Sequence, residues 1–390
     1  MSLPLPSLSR QLVKGFWPNK PMGLSAPATN RPHFFLVRRF AGDNDLMVIF
    51  NSKRCRYQCD FCQLPAKSSR KWIAGDELMA QFSYVLEETK HTLNILDRVS
   101  LGNEGSILDS KTFDPDALDT IVKAIRHLPH VRTLVLETRL EFVETERLMR
   151  LAALAPHTRL SMLTGFESHD EVIRDKVLRK REPLALFEQG LDRVAEANAM
   201  LTAYVLYKPD PAMTDKEAYD EADRSIRYLE AQCGRRGIPL AIRLNPMYIA
   251  EGSKWEQRAT AMGGYIPPRL SDVLRLSEGA IARGTPVYIG LSSEGLSGKE
   301  GSYKARDDYS PRLTERALQI NEHAIAAARI QIGAMTPVGS GSARANGSNG
   351  STGSNGHGAH GVNGAHGSNG ASHAPAVGAT AASGARDSGE

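Results

Sequence analysis

The chain has 390 residues, of which 41% are hydrophobic and 24% charged, and its formal net charge is +4. This length leaves room for one large or two ordinary domains, and the apolar content is sufficient for a normal core. The small positive charge permits contact with nucleic acid without demonstrating it. No run approaches the ~20 apolar residues of a membrane span. Composition therefore favours a soluble cytoplasmic protein with no membrane partner.

The two ends of the chain differ in composition from the middle. Residues 1–32 are rich in Pro, Ser and Leu and lack the long apolar core of a signal peptide, so we expect an extended segment. Residues 337–390 consist mainly of Gly, Ser, Asn, Ala and His. Such a segment buries too little apolar surface to offset its chain entropy, which predicts a disordered tail. The folded domain is expected over residues 33–332.

The middle of the chain alternates short apolar runs with amphipathic segments. Strands are predicted at 46–50, 98–101, 131–136, 160–163, 201–206, 240–244 and 286–289, and helices at 76–90, 115–127, 144–154, 183–197, 216–232, 270–283 and 313–329. Strands separated by helices of roughly 12 residues are typical of parallel βαβ units. The predicted fold class is α/β, a partial (β/α)6-type barrel built from about six or seven such units, with its active site at the carboxyl ends of the strands.

Three cysteines, Cys55, Cys59 and Cys62, follow the first predicted strand with C-x3-C-x2-C spacing. Three thiolates on one short loop can hold three irons of a [4Fe–4S] cluster, which leaves the fourth iron free to bind something else. A structural zinc site usually combines two Cys/His pairs separated by a dozen or more residues, and no second pair is present. The remaining cysteine, Cys233, stands alone and is interpreted as a free thiol. The spacing favours a cluster, with zinc or unrelated thiols as alternatives.

Polar residues also follow the other predicted strands. These runs are 102–106, 137–141, 165–168, 207–209 and 245–248. Because the carboxyl ends of parallel strands meet at one rim, all five should converge beside the cysteines. Carboxylates in these runs can meet an ammonium or sulfonium group, and Arg139 can meet a carboxylate.

Basic residues gather near the cysteines and again around residue 180. The first group is Arg38, Arg39, Lys53, Arg54, Arg56, Lys67, Arg70 and Lys71; the second is Arg174, Lys176, Arg179, Lys180 and Arg181. A phosphate-binding surface and an ordinary solvated face are both compatible with these groups.

The cysteine loop, with Phe61 directly before the third cysteine, strongly resembles the radical S-adenosylmethionine (SAM) superfamily. Further runs narrow the resemblance: Gly-Ser-Ile-Leu-Asp (105–109), Leu-Glu-Thr-Arg-Leu-Glu-Phe-Val (136–143), Gly-Phe-Glu-Ser (165–168), Tyr-Lys-Pro (207–209), Asn-Pro-Met-Tyr (245–248) and Ile-Gly-Leu-Ser-Ser-Glu-Gly-Leu (289–296). Over residues 33–330 they look like the archaeosine-synthase-type proteins, relatives of the catalytic subunit of eukaryotic Elongator.

This resemblance implies a role for each motif. Cys55, Cys59 and Cys62 would ligate the [4Fe–4S] cluster. The residues expected to bind SAM are Phe61, Gly102, Asn103, Glu104, Gly105, Ser106 and Asn245, and those expected to line the SAM and substrate side of the rim as catalytic residues are Glu137, Arg139 and Glu167. The chain departs from the pattern in two places. Gly102-Asn103-Glu104 replaces the common Gly-Gly-Glu, and Leu140 stands where related proteins often carry Pro.

The resemblance also implies a reaction. A reduced cluster would cleave SAM and generate a radical that acts on a lysine-bearing 7-deazaguanine in tRNA, with a low-potential electron donor of the flavodoxin or ferredoxin type and a partner that installs the lysine. The missing RNA-binding module and modest charge favour an alternative, an enzyme of specialised metabolism acting on a small molecule. Transfer of the 3-amino-3-carboxypropyl group of SAM is one form that this alternative takes. A third alternative is a non-enzymatic zinc or iron–sulfur protein that binds RNA.

Overall fold

The structure, a computed structural model, describes residues 28–40, 42–62, 64–247, 250, 252–290 and 310–333. Its strands are β1 (Phe34–Phe40), β2 (Asp43–Ile49), β3 (Arg98–Gly102), β4 (Thr133–Glu137), β5 (Arg159–Glu167), β6 (Met200–Tyr207), β7 (Leu240–Pro246) and β8 (Val287–Ile289). Its α-helices are α1 (Leu64–Lys67), α2 (Gly75–Glu88), α3 (Pro115–Ile125), α4 (Thr145–Leu154), α5 (Leu184–Glu196), α6 (Asp215–Arg236), α7 (Lys254–Ala261), α8 (Leu270–Ala282) and α9 (Pro311–Gly333).

All eight strands form one sheet in chain order. β1 pairs antiparallel with β2, and every later pair from β2 to β8 is parallel. At the amino end of the sheet the rings of Phe40 on β1 and Tyr288 on β8 lie 4.3 Å apart, so side chains of the two edge strands meet there. The sheet is therefore a partial barrel, and the predicted fold class is confirmed.

Alternating side chains give this sheet two different faces. Leu46 and Val48 on β2 and Leu134 and Leu136 on β4 belong to one apolar core beneath the helices. On the other face of β2, the Asp45 carboxylate accepts hydrogen bonds from Arg38 at 3.0 Å and from Ser100 at 2.7 Å. Because successive side chains of a strand point to opposite faces, the apolar face packs on helices and the polar face lines the barrel interior.

The predicted parallel strands and the seven long helices are all present, with ends shifted by a few residues. The predicted start of a helix at Asp114-Pro115 is confirmed, since Asp114 caps α3 through the backbone N–H groups of Asp116 and Ala117. Three of these elements were not predicted: the antiparallel strand β1 and the short helices α1 and α7. The barrel consequently has seven parallel strands and an additional antiparallel edge.

The chain divides into two units, Met1–Thr336 and Pro337–Glu390. The predicted tail at 337–390, and residues 1–27 of the predicted N-terminal segment, lie outside the described residues. Tyr248 and residues 291–296 of the predicted motifs also lie outside them. Within the described part of the chain, no helix is both long enough and apolar enough to span a bilayer.

Candidate active site

The cysteine loop follows β2 and is fixed to three parts of the chain by backbone hydrogen bonds. The N–H of Asp60 donates to the carbonyl of Leu178 at 2.9 Å, and the N–H of Trp255 donates to the carbonyl of Asp60 at 3.0 Å. Nearer its start, the N–H of Arg54 donates to the carbonyl of Ser69 at 2.8 Å. The segment after β5 and the helix α7 thus hold the loop over the carboxyl ends of the strands, which is where an active site is expected in this fold.

The three cysteine thiols are half-buried and close enough to influence one another. Burial raises the pKa of Cys55, Cys59 and Cys62, and the neighbouring thiols add to the rise at Cys59 and Cys62. The positive charges of Arg139 and Lys180 act in the opposite direction at Cys55 and Cys59. These two cations therefore favour the thiolate form that metal binding requires.

Among the described residues, no three His, Cys, Asp or Glu side chains are arranged around one metal-ion position. The ligands of a four-iron cluster bind different irons and need not converge on one point. The donor set, three thiols on one loop beside two cations, thus fits a cluster held by three cysteines.

The predicted SAM-binding run 102–106 lies against this loop, and Gly105 makes the close approach possible. A Cβ on Gly105 would lie 3.1 Å from the Cβ of Cys55, tighter than ordinary contact, so the run packs directly against the first cysteine. Asn103 donates a hydrogen bond to the hydroxyl of Ser52 at 3.1 Å, while its buried side-chain oxygen has no hydrogen-bond partner in the structure. The hydroxyl of Ser106 accepts from the backbone N–H of Arg139 at 3.0 Å. The run is therefore tied to the cysteine loop and to the end of β4.

Glu104 and Glu137 occupy different positions at this rim. Glu104 adopts a left-handed backbone with φ of 56°, and its carboxylate accepts from the hydroxyl of Ser68 at 2.7 Å and lies 3.4 Å from His33 Nε2. Glu137 ends β4, and its carboxylate occupies the space that a Cβ on Gly102 would need, 2.4 Å from Oε2. Glu137 thus lies against the end of β3, whereas the carboxylate of Glu104 contacts Ser68 and His33.

The guanidinium of Arg139 contacts a carboxylate, two backbone carbonyls and an aromatic ring. Its guanidinium pairs with Glu141, donates to the carbonyls of Lys180 at 3.0 Å and Arg181 at 3.3 Å, and lies 3.8 Å from the centroid of the Tyr57 ring. Burial alone would lower the pKa of Arg139, but Glu182 and Glu141 outweigh it and the pKa is raised. Burial and a hydrogen bond to Glu141 raise the pKa of Tyr57 to about 12. Arg139 therefore joins the end of β4 to the cysteine loop and to the segment after β5.

A buried group of charges continues from Arg139 behind the cysteines. Lys180 Nζ lies 3.3 Å from Glu182 and 3.9 Å from Glu167, and Arg174 pairs with Glu182 at 3.1 Å. Burial raises the pKa of Glu167, although Lys180 and Arg174 oppose the rise. Burial would also raise the pKa of Glu182, but Lys180, Arg139 and Arg174 outweigh it and the pKa is lowered. We call Arg139, Arg174, Lys180, Glu167 and Glu182 the charge cluster.

The sequence prediction missed part of this cluster. Glu182 was not singled out, and Arg174 and Lys180 were grouped with surface residues, although the structure leaves them only 2% and 3% exposed. Lys176, Arg179 and Arg181 of the same basic group are exposed as expected. One sequence signal for the cluster was overlooked. Lys180 and Glu182 carry opposite charges two residues apart, in a short segment that follows the Gly-Phe-Glu-Ser run and can fold back toward the strand ends.

The two other predicted SAM-binding residues lie near the end of β7 and beside the cysteines. Among the described residues, the buried side-chain oxygen of Asn245 has no hydrogen-bond partner, and it lies 2.2 Å from where a Cβ on Gly290 would be. Phe61 is half-buried and packs on a small apolar cluster that includes Leu178, Met247 and Trp255. Phe61 thus anchors the third cysteine to the same elements that hold Asp60.

Comparisons with known proteins were made on sequence and on structure. No family model matches the chain. An uncharacterized protein of Methanocaldococcus jannaschii is 23% identical over 73% of this chain and 77% of its own length. Archaeosine synthase subunit beta of Thermococcus kodakarensis is 23% identical over 70% of this chain and 83% of its own length. The same subunit of Methanosarcina acetivorans is 22% identical over 67% of this chain and 74% of its own length.

Solved structures match more distantly. Methylornithine synthase (PylB) covers 75% of this chain and 82% of its own, at 15% identity and a TM-score of 0.43. The radical SAM methyltransferase TsrM of Kitasatospora setae, solved with cobalamin and a [4Fe–4S] cluster, covers 57% of this chain at 13% identity and a TM-score of 0.39, and the match spans 40% of TsrM. The sequence similarity to two archaeosine synthase beta subunits agrees with the resemblance that the cysteine loop and strand-end motifs predict.

Proposed function

We propose that this protein is a radical SAM enzyme that binds a [4Fe–4S] cluster through Cys55, Cys59 and Cys62. One observation carries the proposal: three thiols of a single loop lie at the carboxyl rim of a partial parallel barrel, next to the positive charges of Arg139 and Lys180. When bound, a cluster with one open iron supplies the electron for reductive cleavage of SAM. A cytoplasmic location suits this chemistry, because cellular reductants are available there.

The chain's own residues have separate tasks in this proposal. Lys180 and Arg139 stabilise the thiolates, and the backbone bonds of Asp60 hold the loop over the barrel. Asn103 and Asn245 each present a buried side-chain oxygen without a hydrogen-bond partner in the structure, and such an acceptor suits the ammonium group of SAM. Arg139 donates to Glu141 and to two carbonyls, so we assign it to positioning the rim.

We further propose that the substrate is a lysine-bearing 7-deazaguanine in tRNA, cleaved to leave the amidine of archaeosine. The names of the two archaeal relatives support this substrate. The reaction requires a second protein that installs the lysine and a low-potential electron donor.

The substrate is tested with tRNA that carries the lysine-bearing base. The reconstituted protein, SAM and dithionite are added under anaerobic conditions, and the nucleosides are analysed by mass spectrometry. We expect the archaeosine nucleoside to form together with 5′-deoxyadenosine. Formation of 5′-deoxyadenosine without any change in the tRNA would contradict the tRNA assignment and favour a small-molecule substrate, whereas methylthioadenosine would indicate transfer of the aminocarboxypropyl group.

A further inference from the structure

An open cavity of about 320 Å³ is lined in part by two of the cysteines. Cys59 and Cys62 form part of its wall, together with residues of the cysteine loop and the start of α7. Cys59 is also close enough to the charge cluster for the charges of Lys180, Arg139 and Glu167 to shift the pKa of its thiol. Cys59 thus adjoins both the charge cluster and this cavity.

The wall of the cavity is strongly cationic. It contains Arg54, Arg70 and Lys254, all exposed, and one carboxylate, that of Asp60. Within the described part of the chain, none of these three cations makes an ion pair with a carboxylate, and Asp60 lies 3.9 Å from Arg179. We call Arg54, Arg70 and Lys254 the basic rim. Fixed positive charges around a concave surface attract a negatively charged partner and raise its association rate.

We propose that the basic rim is the docking surface for the electron donor, a small acidic one-electron carrier protein. This inference rests on the proposed function, because it assumes a cluster on Cys59 and Cys62. A donor seated on the basic rim would lie beside Cys59 and Cys62, the proposed ligands of two irons. On transfer the donor loses one electron and the cluster gains it, while no bond is made or broken and no proton moves.

Two features favour a redox protein over RNA at this position. The cavity wall includes Cys59 and Cys62, which an electron carrier needs to approach and an RNA backbone does not. The basic rim is also compact, because its three cations surround one opening. This suits the small and weak interfaces that are typical of electron-transfer encounters.

The test measures electron transfer from a reduced ferredoxin to the reconstituted holoenzyme by stopped-flow spectroscopy at low and high salt. The variant Arg54→Glu/Arg70→Glu/Lys254→Glu reverses the basic rim. We expect its second-order rate constant to fall tenfold or more, and most of the salt dependence to disappear, because steering by charge is lost. Its iron content and its SAM cleavage with dithionite should remain unchanged, because dithionite needs no docking surface.

A matched control, Lys123→Glu/Arg126→Glu/Arg235→Glu, changes the net charge equally at exposed positions on α3, directly after α3 and on α6. It should alter the rate constant less than twofold. Equal slowing of both variants would overturn the proposal in favour of a net-charge effect. A normal ferredoxin rate combined with weakened tRNA binding in the basic-rim variant would overturn it in favour of an RNA surface.

Because Arg54 adjoins Cys55, the double variant Arg70→Glu/Lys254→Glu repeats the test away from the ligands. Failure of the proposed function itself would be seen separately, as absence of dithionite-driven SAM cleavage in the unmodified protein.

Discussion

Glycines at the strand ends determine where the polar side chains of the rim lie. Gly102 leaves room for the carboxylate of Glu137, Gly165 for that of Glu167, and Gly290 for the amide of Asn245. Gly165 and Glu167 flank an irregularity in the pairing of β5 with β6, and Glu167 has a left-handed φ of 72°. Each polar group thus occupies a volume that any other residue type would fill.

We predict that Gly102→Ala impairs catalysis more than it impairs folding. The new Cβ would lie 2.4 Å from Glu137 Oε2 and 2.9 Å from the side chain of Ile49, so the carboxylate must move away. We expect 5′-deoxyadenosine formation to fall roughly 10- to 100-fold, with a loss of about 1–3 kcal/mol in the free energy of unfolding in urea. Gly234→Ala, on α6 with nothing within 4 Å, is the control and should leave turnover intact. Equal turnover in both variants would contradict the account.

Lys180 provides a second prediction at this scale. Its ammonium is almost fully buried between Glu182 and Glu167, so Lys180→Met leaves buried carboxylates without this partner and should destabilise the fold by about 3–5 kcal/mol. The exposed pair of Lys216 and Asp220 is the comparison, and Lys216→Met should change stability by less than about 1 kcal/mol. Urea unfolding of both variants measures the difference. A similar small effect in each would show that Lys180 is not part of a buried network.

Single residues also show the limit of sequence-based prediction. Spacing alone predicts Cys55, Cys59 and Cys62 as cluster ligands, because three thiolates within eight residues have few other uses. Arg174 and Lys180 have no such signature. Their sequence context is that of an exposed basic segment, and only the fold buries them beside the carboxylates of Glu182 and Glu167.

At the level of elements, the capped start of α3 was predicted to the residue. Asp114 accepts from two backbone N–H groups at 2.9 and 3.1 Å, and Pro115 starts α3 without a donor to satisfy. β1 was missed because Phe34–Phe40 does not alternate apolar and polar residues, although Gly42, with φ of 90°, provides the tight turn before β2. α7 was missed because it is short and polar, although Ser253 caps it through the N–H of Glu256.

We predict that Asp114→Ala lowers the free energy of unfolding by about 1 kcal/mol, because the first turn of α3 loses its acceptor. Asp116→Ala, in the same turn but without a capping bond from its side chain, should cost only a few tenths of that amount. Urea titrations of both variants test this, and equal losses would contradict a specific cap.

Glu221 on α6 links that helix to the end of β5 and yields a pH prediction. Burial would raise its pKa, but hydrogen bonds from His169 and Ser168 outweigh burial and lower the pKa to about 2. A carboxyl group whose pKa is lowered on folding contributes stability that is complete above its ordinary value of 4.5 and is lost as the pH falls toward 2. The stability difference between the unmodified protein and Glu221→Gln should therefore shrink between about pH 4.5 and pH 2. Urea midpoints over this range measure it, and a constant difference would refute the assignment.

At the scale of the whole molecule, alternation of strands and helices was sufficient to predict the partial barrel and the rim that carries the site. It was insufficient to predict which rim residues contact one another. Asn245 and Phe61, for example, were grouped with the run 102–106, yet their described contacts are with Gly290 and with the apolar cluster near Trp255. Such details depend on how the loops fold back, which hydrophobic periodicity does not encode.

Composition predicts that residues 337–390 contribute nothing to the stability of the barrel, since they contain almost no large apolar side chains. A chain ending at Thr336 should therefore unfold at the same urea concentration as the full chain, within experimental error, and cleave SAM at the same rate. A lower midpoint, or slower cleavage at equal iron content, would show that the tail contacts the folded unit.

The central claim is that one cysteine loop holds a cluster that reduces SAM. It is tested most directly by anaerobic reconstitution with iron and sulfide, followed by measurement of bound iron and of 5′-deoxyadenosine formed with SAM and dithionite. The account predicts about four irons per chain and SAM cleavage in the unmodified protein and in Cys233→Ala, and loss of both in Cys55→Ala, Cys59→Ala and Cys62→Ala. An unmodified protein that takes up no iron, or that binds zinc and leaves SAM intact, would contradict it.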